Sequence, residues 1–246
     1  MFEATKFAIF AAPRTGSNLL CTILNGHPEI LCHHEVYNPH GIFTALDFQP
    51  NELNATPLDE RDQNPIEFLT RVWKSGAEHG AVGFKWTRGQ CTRVLEYVLQ
   101  NKNIKKIILQ RKNRIKTFVS ERIAQALNQW EVYSNAELVQ PRPRITVELD
   151  DLLQHIETNR ELYCGIRSVM GDSQPQFWID YESILEHKVQ KNLFEFLAVS
   201  IPTIVPPARS VKQNPTSLRD SIQNFEDLVA QIQDTELMRE LLETSM

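Results

Sequence analysis

The feature that most constrains the fold is an apolar, strand-like run that leads through a short polar loop into a helical pattern. Residues 7–12 are all apolar, residues 13–17 form the polar loop, and the chain continues as Asn-Leu-Leu-Cys over residues 18–21. The backbone N–H groups at the start of a helix are unpaired and lie at the positive end of its dipole, so they bind phosphate and sulfate groups. The loop is therefore predicted to be an anion site.

Side chains in this loop add hydrogen-bond donors. Arg14, Thr15, Ser17 and Asn18 are all polar, and Gly16 lets the backbone turn and approach a ligand closely. The loop lacks the Gly-Lys-Ser/Thr ending of nucleoside-triphosphate P-loops, in which the lysine binds the terminal phosphates and the hydroxyl binds magnesium. The pattern fits an anionic ligand bound without an obligatory metal. The alternative is an ordinary turn followed by a helix cap, because Ser and Asn are common capping residues.

Length and composition exclude several classes of protein. A chain of 246 residues with 41% hydrophobic content is long and apolar enough for one large domain. The net charge of -5 argues against a broad basic surface that binds nucleic acid. The four cysteines have no Cys-x-x-Cys spacing, so neither a zinc site nor a disulfide framework is expected. No apolar run reaches about 18 residues and the chain starts directly in a strand, so a cytoplasmic protein without a membrane span is expected.

Strand and helix patterns alternate along the chain, which predicts an α/β fold with a P-loop-type parallel sheet flanked by helices, as a single domain over residues 1–246. The other predicted strands cover residues 81–86, 106–110 and 176–181. The predicted helices after the first cover residues 65–78, 90–100, 113–130 and 150–169, with further ones ending at Leu197 and following Pro215. Residues 26–64 are predicted to be loop-rich, residues 139–144 a surface loop, and residues 201–207 a Pro-rich linker.

A second anion site is predicted at the end of the strand over residues 106–110. Residues 111–114 read Arg-Lys-Asn-Arg, and Ser120 follows on the next helix. Because ligands of parallel α/β sheets bind beyond the carboxyl ends of the strands, residues 13–18, 85–88 and 111–114 are predicted to share one rim. Alternatively, Arg111 and its neighbours are solvated charges.

Four segments in this order carry a resemblance to a known family. They are residues 12–20, residues 109–120 with Asn-Gln-Trp at 128–130, residues 180–184, and residues 211–219 with 222–225. Together they resemble the sulfotransferases that use 3′-phosphoadenosine-5′-phosphosulfate (PAPS), especially the bacterial branch that acts on sugars and glycolipids. The resemblance implies metal-independent, in-line transfer of a sulfuryl group from PAPS to a hydroxyl acceptor, with 3′-phosphoadenosine 5′-phosphate (PAP) as the product.

The resemblance also implies roles for individual residues in binding the nucleotide. The first loop would hold the 5′-phosphosulfate, and the other contacts would be made at the 3′-phosphate and the adenine. The implied set is Arg14, Thr15, Gly16, Ser17 and Asn18 for the phosphosulfate, Arg111, Ser120 and Lys212 for the 3′-phosphate, and Tyr181 for adenine. Residues 208–230 would cover the nucleotide, and residues 38–64 and 131–144 would be variable substrate loops. Many relatives have lysine at the position of Arg14 and threonine at the position of Asn18. Arginine can bind the phosphosulfate bidentately, but it is a poor proton donor to the leaving phosphate.

Candidate catalytic residues lie near the ends of the first helix and the second predicted strand. By resemblance to bacterial relatives, Glu35 is the candidate base and His34 is the alternative. Lys85 would contact the sulfuryl or acceptor oxygen, and Arg14 completes the candidate catalytic set. His33 and His34 are adjacent, but no third ligand stands at a recognisable spacing, so no metal site is predicted.

The predicted acceptor is a small molecule or a glycan, and neither a nucleic-acid partner nor an integral membrane segment is expected. Two other functions stay open from the sequence alone. One is a nucleotide kinase with a degenerate P-loop, and the other is a catalytically silent nucleotide-binding module. The sequence also leaves the oligomeric state open, a homodimer included.

Overall fold

The protein is described here by a computed structural model covering residues 3–49, 53–203, 207–215 and 217–243. Residues 204–206 of the predicted linker and Thr216 of the predicted nucleotide-covering segment lie outside the described residues. The described part contains one five-stranded sheet in which all neighbouring strands are parallel, in the order β2-β3-β1-β4-β5. The strands are β1 Thr5–Ala11, β2 Ile30–His33, β3 Ala81–Thr87, β4 Ile104–Gln110 and β5 Gln176–Asp180. The predicted parallel α/β fold is confirmed.

Helices connect the strands and continue beyond the last one. They are α1 Ser17–Asn25, α2 Leu58–Gln63, α3 Pro65–Lys74, α4 Thr92–Gln100, α5 Arg114–Leu127, α6 Leu149–Met170, α7 His187–Leu197, α8 Phe225–Gln231 and α9 Thr235–Leu242. None of those described combines the length and apolarity needed to cross a bilayer.

The prediction of a loop-rich stretch over residues 26–64 is wrong at two places. It missed β2, whose four residues are all buried and too few to show a period, and α2, whose sequence Leu-Asp-Glu-Arg-Asp-Gln has a single apolar residue. The single helix expected after Pro215 is also wrong, because a short 3-10 helix over Leu218–Asp220 is followed by α8 and α9.

The strands are apolar on both faces because helices cover both sides of the sheet. Side chains alternate between the two faces of a strand, so Phe7 and Ile9 of β1 pack in one hydrophobic cluster with α1 and α7. Ala8 and Phe10 pack in another with α3, α4 and α6. A third cluster joins α5 to α8 and α9. The long C-terminal part is thereby held against the helix that follows β4.

The register of the sheet brings the carboxyl ends of the strands together. Ala11, the last residue of β1, lies opposite Thr87 of β3 and Leu109 of β4, and Gln110 lies opposite Asp180 of β5. The loops that follow these strands therefore emerge at one edge of the sheet. The residues of the candidate site lie on these loops, on β3, on α5, directly after β2, or on the segments that contact them.

Candidate active site

The loop between β1 and α1 turns through two residues with left-handed backbone conformations. Arg14 has a φ of 63° and Gly16 a φ of 91°. The Thr15 hydroxyl donates to the Ala12 carbonyl at 2.8 Å, so this side chain holds the loop together. Among the described residues, no side chain caps the start of α1 at Ser17. The amides of the first turn therefore retain their capacity to bind an anion.

Gly16, Tyr181 and Arg111 form one stack. A Cβ atom at Gly16 would lie 2.3 Å from Cδ2 of Tyr181, so only glycine leaves room for this ring. The guanidinium of Arg111 lies over the Tyr181 ring, 4.6 Å from its centroid. Tyr181 follows directly after β5 and Arg111 directly after β4. The structure thus brings together three of the residues predicted to bind the nucleotide.

Arg14 extends from the first loop to the second predicted anion site. Its Nε donates to Ser120 Oγ at 2.9 Å, its Nη2 donates to Gln213 Oε1 at 3.0 Å, and its Nη1 donates to the Trp130 carbonyl. The structure therefore places this guanidinium beside Ser120, whereas the resemblance implies a role at the 5′-phosphosulfate. Burial lowers the pKa of Arg14 to about 10, and the charges of Arg111 and Arg142 contribute to this shift.

Positive charge accumulates around this site, although the charges of Glu131 and Glu182 also act on Arg14 and Arg111. Neither Arg14 nor Arg111 forms an ion pair with a carboxylate of the described residues. The buried Nε of Arg111 has no hydrogen-bond partner among them either, although its Nη1 donates to the Arg14 carbonyl at 3.3 Å. Buried polar groups are normally satisfied, so these donors indicate an anionic ligand.

The C-terminal segment contacts this site. Asn214 donates to Ser120 Oγ at 3.0 Å, and the Val211 N–H donates to the Val132 carbonyl at 2.9 Å. Lys212 is exposed. Burial lowers the pKa of Lys116 on α5, and the charges of Arg111 and Lys212 lower it further. Lys212 is therefore close to the cations around Arg111.

Two carboxylates and the start of α1 meet at one buried lysine. Lys85 on β3 is 1% exposed, and its Nζ lies 2.8 Å from Oε1 of Glu35. The same Nζ donates to Asn18 Oδ1 on α1 and lies 3.9 Å from Oε1 of Glu131. The lysine therefore links the start of α1 with two carboxylates.

Glu35 is held in its ionised form. Burial favours the neutral acid, but the charge of Lys85 and hydrogen bonds from Lys85, Asn38 and Thr87 outweigh it and keep the pKa of Glu35 below 4.5. Gln90 also donates to Glu35 Oε2, at 2.8 Å. Burial alone would lower the pKa of Lys85, but the charges of Glu35 and Glu131 raise it above the usual value. At neutral pH the pair is thus a carboxylate and an ammonium.

His34, the alternative base, is buried beside this pair. It is 2% exposed, and neither ring nitrogen has a hydrogen-bond partner among the described residues. Burial lowers its pKa to about 4, with a contribution from the charge of Lys85, so the ring is neutral at pH 7. Its ring meets that of Tyr133 edge-on, with centroids 6.1 Å apart.

His33 has a different environment from His34. Its Nε2 lies 2.9 Å from Ser75 Oγ, and its Nδ1 accepts from the Ala45 N–H at 3.3 Å. Over the described ranges of the chain, no group of three or more His, Cys, Asp or Glu residues is placed to hold a metal ion.

Sequence reasoning missed several residues of the site. Glu131 and Tyr133 lie in the predicted variable loop, Arg142 of this loop donates to Asn214 of the C-terminal segment, and Gln213 accepts from Arg14. None of these five lies in a motif that identifies its partner. The basic and amide character of residues 212–214, Lys-Gln-Asn, was the one available signal.

Comparisons with known proteins bear on the fold. No family model matches the sequence, and no curated protein matches it either. Among solved structures, the sulfotransferase domain from the curacin biosynthetic pathway is 17% identical, covers 96% of each chain and has a TM-score of 0.51. A sulfotransferase from Alicyclobacillus acidocaldarius is 16% identical over 98% of this chain and 96% of its own, with a TM-score of 0.49. Mouse sulfotransferase SULT7A1 complexed with PAP is 12% identical over 96% of this chain and 76% of its own, with a TM-score of 0.43.

The likeness to the curacin-pathway domain extends over nearly the whole of both chains, so it concerns the complete architecture rather than the sheet alone. It agrees with the five-stranded parallel sheet described above. From the order of its motifs and the architecture that carries them, we conclude that the chain has the sulfotransferase fold.

Proposed function

We propose that the protein is a PAPS-dependent sulfotransferase that transfers a sulfuryl group to a hydroxyl of a carbohydrate or glycolipid. The observation that carries this proposal is the contact of Lys85 with both Glu35 and Asn18. It joins a candidate base to the start of the helix that follows the anion-binding loop. Two anion sites and a proton acceptor are therefore available along one edge of the sheet.

The residues present fit the donor. The uncapped start of α1 would hold the 5′-phosphosulfate through its amides, including those of Ser17 and Asn18. Arg111 and Ser120 would hold the 3′-phosphate together with Lys212, and the unpartnered Nε of Arg111 supports this assignment. Tyr181 would contact the adenine from its position against Gly16. In this proposal Arg14 serves the 3′-phosphate through Ser120 as well as shaping the first loop.

The chemistry needs in-line positioning, charge stabilisation and a proton acceptor. The donor supplies a sulfuryl group whose sulfur bonds to the acceptor oxygen as its bond to the 5′-phosphate oxygen breaks. Glu35 would accept the hydroxyl proton, and its lowered pKa keeps it ionised for that task. Lys85 would stabilise negative charge on the transferred group, since it remains an ammonium in the buried site. These steps require no metal ion.

The acceptor would be bound next to Glu35 by the variable loops. Glu131 and Tyr133 bring the segment 131–144 to Lys85 and His34, and Asn38 brings the other loop to Glu35. The choice of a sugar or glycolipid hydroxyl rests on the resemblance to the bacterial branch alone. A screen of glycan and small-molecule alcohols with radiolabelled PAPS identifies the acceptor.

The first experiment is calorimetric titration with PAP in the presence of EDTA, beside ATP with magnesium. We expect PAP to bind without metal and ATP to bind weakly. Preference for ATP together with a magnesium requirement would instead support the nucleotide kinase. Binding of PAP without transfer to any acceptor in the screen would support the silent nucleotide-binding module.

The assignment of the base is tested with Glu35→Gln and His34→Asn. Loss of a general base lowers kcat by about 100- to 10,000-fold, so Glu35→Gln should fall in this range with its PAP affinity unchanged within about twofold. His34→Asn, the comparison variant, should lose less than about tenfold. The reverse ranking would assign the base to His34.

A further inference from the structure

Arg142 connects the variable segment to the second anion site. Its Nη1 donates to Gln129 Oε1 at 2.8 Å, and its Nε and Nη2 donate to Asn214 Oδ1 at 3.3 Å and 3.1 Å. The amide nitrogen of Asn214 donates in turn to Ser120 Oγ at 3.0 Å. Ser120 also accepts from Arg14. A continuous chain of hydrogen bonds therefore runs from Arg142 to Arg14.

The partners of Arg142 are neutral amide oxygens rather than carboxylates. Within the described part of the chain, none of Arg14, Arg111 and Arg142 forms an ion pair. Arg114, three residues after Arg111, differs from them. Its guanidinium pairs with Glu240 and Glu236, and its backbone N–H donates to Glu240. The fold thus pairs a neighbouring arginine directly with carboxylates, but within the described part of the chain it places none at ion-pair distance from these three.

Arg14 is repelled by two other partly buried guanidinium groups. Burial lowers the pKa of Arg14, the charges of Arg111 and Arg142 lower it further, and the charges of Glu121 and Glu131 offset part of this shift. Like charges in a region of reduced dielectric destabilise the protein unless an anion neutralises them. A phosphate group with up to two negative charges matches this arrangement, because guanidinium groups bind phosphate oxygens bidentately.

We propose that Arg142 is a donor-binding residue that contacts the same phosphate group as Arg111 and Ser120. The inference rests on the proposed function, in which that group is the 3′-phosphate of the nucleotide. With this role for Arg142, the segment 131–144 has two functions. It binds the donor through Arg142, and it lies next to the proposed acceptor site through Glu131. The residue lies outside every motif that carries the family resemblance.

The test compares two nucleotides that differ in the 3′-phosphate. PAP and adenosine 5′-phosphate are titrated by calorimetry, the latter to millimolar concentration, against the wild type, Arg142→Ala and Arg142→Lys. We expect Arg142→Ala to weaken PAP binding about 10- to 100-fold while the affinity for adenosine 5′-phosphate changes less than about threefold. Arg142→Lys, which keeps the charge, should recover part of the loss.

Arg144→Ala is the matched control. Arg144 lies on the same segment and also donates to the C-terminal part, but to the backbone carbonyls of Arg219 and Ile222 at 3.2 Å and 2.6 Å. If Arg142 only joined the two segments, its loss would weaken both nucleotides equally, and that result would overturn the proposal. Unchanged PAP affinity in Arg142→Ala would also overturn it.

These outcomes are separate from a failure of the proposed function. If the wild type itself does not bind PAP, the sulfotransferase proposal fails with this inference. If the wild type binds PAP and Arg142→Ala binds it equally well, only the role of Arg142 is lost. Thermal unfolding of each variant verifies that it is folded before titration. If Arg142→Ala is not folded, the two nucleotide affinities are compared in Arg142→Lys instead.

Discussion

Replacement of Lys85 by methionine tests the buried ion pair on which the candidate site depends. Lys85 Nζ lies 2.8 Å from Glu35 Oε1, and the two side chains are 2% and 18% exposed. At an effective dielectric constant of about 20, this distance corresponds to a gross attraction of about 6 kcal/mol, much of which offsets the cost of desolvation. Removal of one partner of a buried pair typically destabilises by about 3–5 kcal/mol. Glu35 would keep its hydrogen bonds from Asn38 and Gln90, so we expect about 3 kcal/mol at pH 7.

The effect should depend on pH in a defined direction. In the wild type the pKa of Glu35 lies below 4.5, so its contribution to stability is complete above the unfolded value and is lost as the pH falls through the folded value. In Lys85→Met, burial is opposed only by the remaining hydrogen bonds to Glu35, so the folded pKa of Glu35 rises relative to the wild type. The folded variant then takes up protons at a higher pH than the folded wild type, so the stability it loses relative to the wild type increases as the pH rises through that interval. The deficit relative to the wild type should therefore be smaller at pH 5 than at pH 7.

The assay is urea denaturation followed by tryptophan fluorescence, at both pH values, for the wild type, Lys85→Met, Glu35→Gln and the double variant. The double variant leaves no uncompensated carboxylate at Glu35, so it should recover at least about 2 kcal/mol relative to Lys85→Met. A loss below about 1 kcal/mol in Lys85→Met at pH 7, or a double variant less stable than Lys85→Met, would refute the reasoning.

Two further predictions concern stability. Gly16 and Gly89 have φ angles of 91° and 90°, but only a Cβ at Gly16 would meet the Tyr181 ring, at 2.3 Å. Denaturation should therefore show a loss of about 1–2 kcal/mol for Gly89→Ala and a clearly larger one for Gly16→Ala, and equal losses would contradict the stack of Gly16 on Tyr181. Burial lowers the pKa values of His34 and His155 to about 4, so the unfolded chain binds more protons between this value and about 6.5, and stability should fall with decreasing pH across that interval. His155→Gln should reduce the slope of unfolding free energy against pH, and an unchanged slope would exclude this contribution.

The first strand, the loop after it and the first helix were predictable because each depends on neighbours a few residues away. The apolar run of β1, the positive φ of Gly16 and the apolar positions of α1 are all encoded locally. Alternation of strands and helices then predicted a parallel sheet whose carboxyl ends share one edge, and the register confirms it. β2 escaped prediction because its short run acquires strand geometry only by pairing with β3.

The motifs also indicated candidate residues for the site, but not how their side chains are directed. Arg14 stands in the first loop, and its guanidinium lies at Ser120, 106 residues further along the chain. Glu35 was a candidate base from its resemblance, whereas its ionised state follows from contact with Lys85. The sequence alone could not show that Lys85 is buried between two carboxylates.

The sequence by itself determined the α/β class and which polar segments follow the strands, because hydrophobic period and turn chemistry act over short distances. Only the tertiary structure decided that Glu131 approaches Lys85 and that Arg142 reaches Ser120 through Asn214. These contacts join loops that have no periodic pattern and that meet only because the helices behind them pack on the sheet and on each other. Hydrogen bonds and charges between such loops depend on where the packed core places their ends, and no local pattern encodes that position.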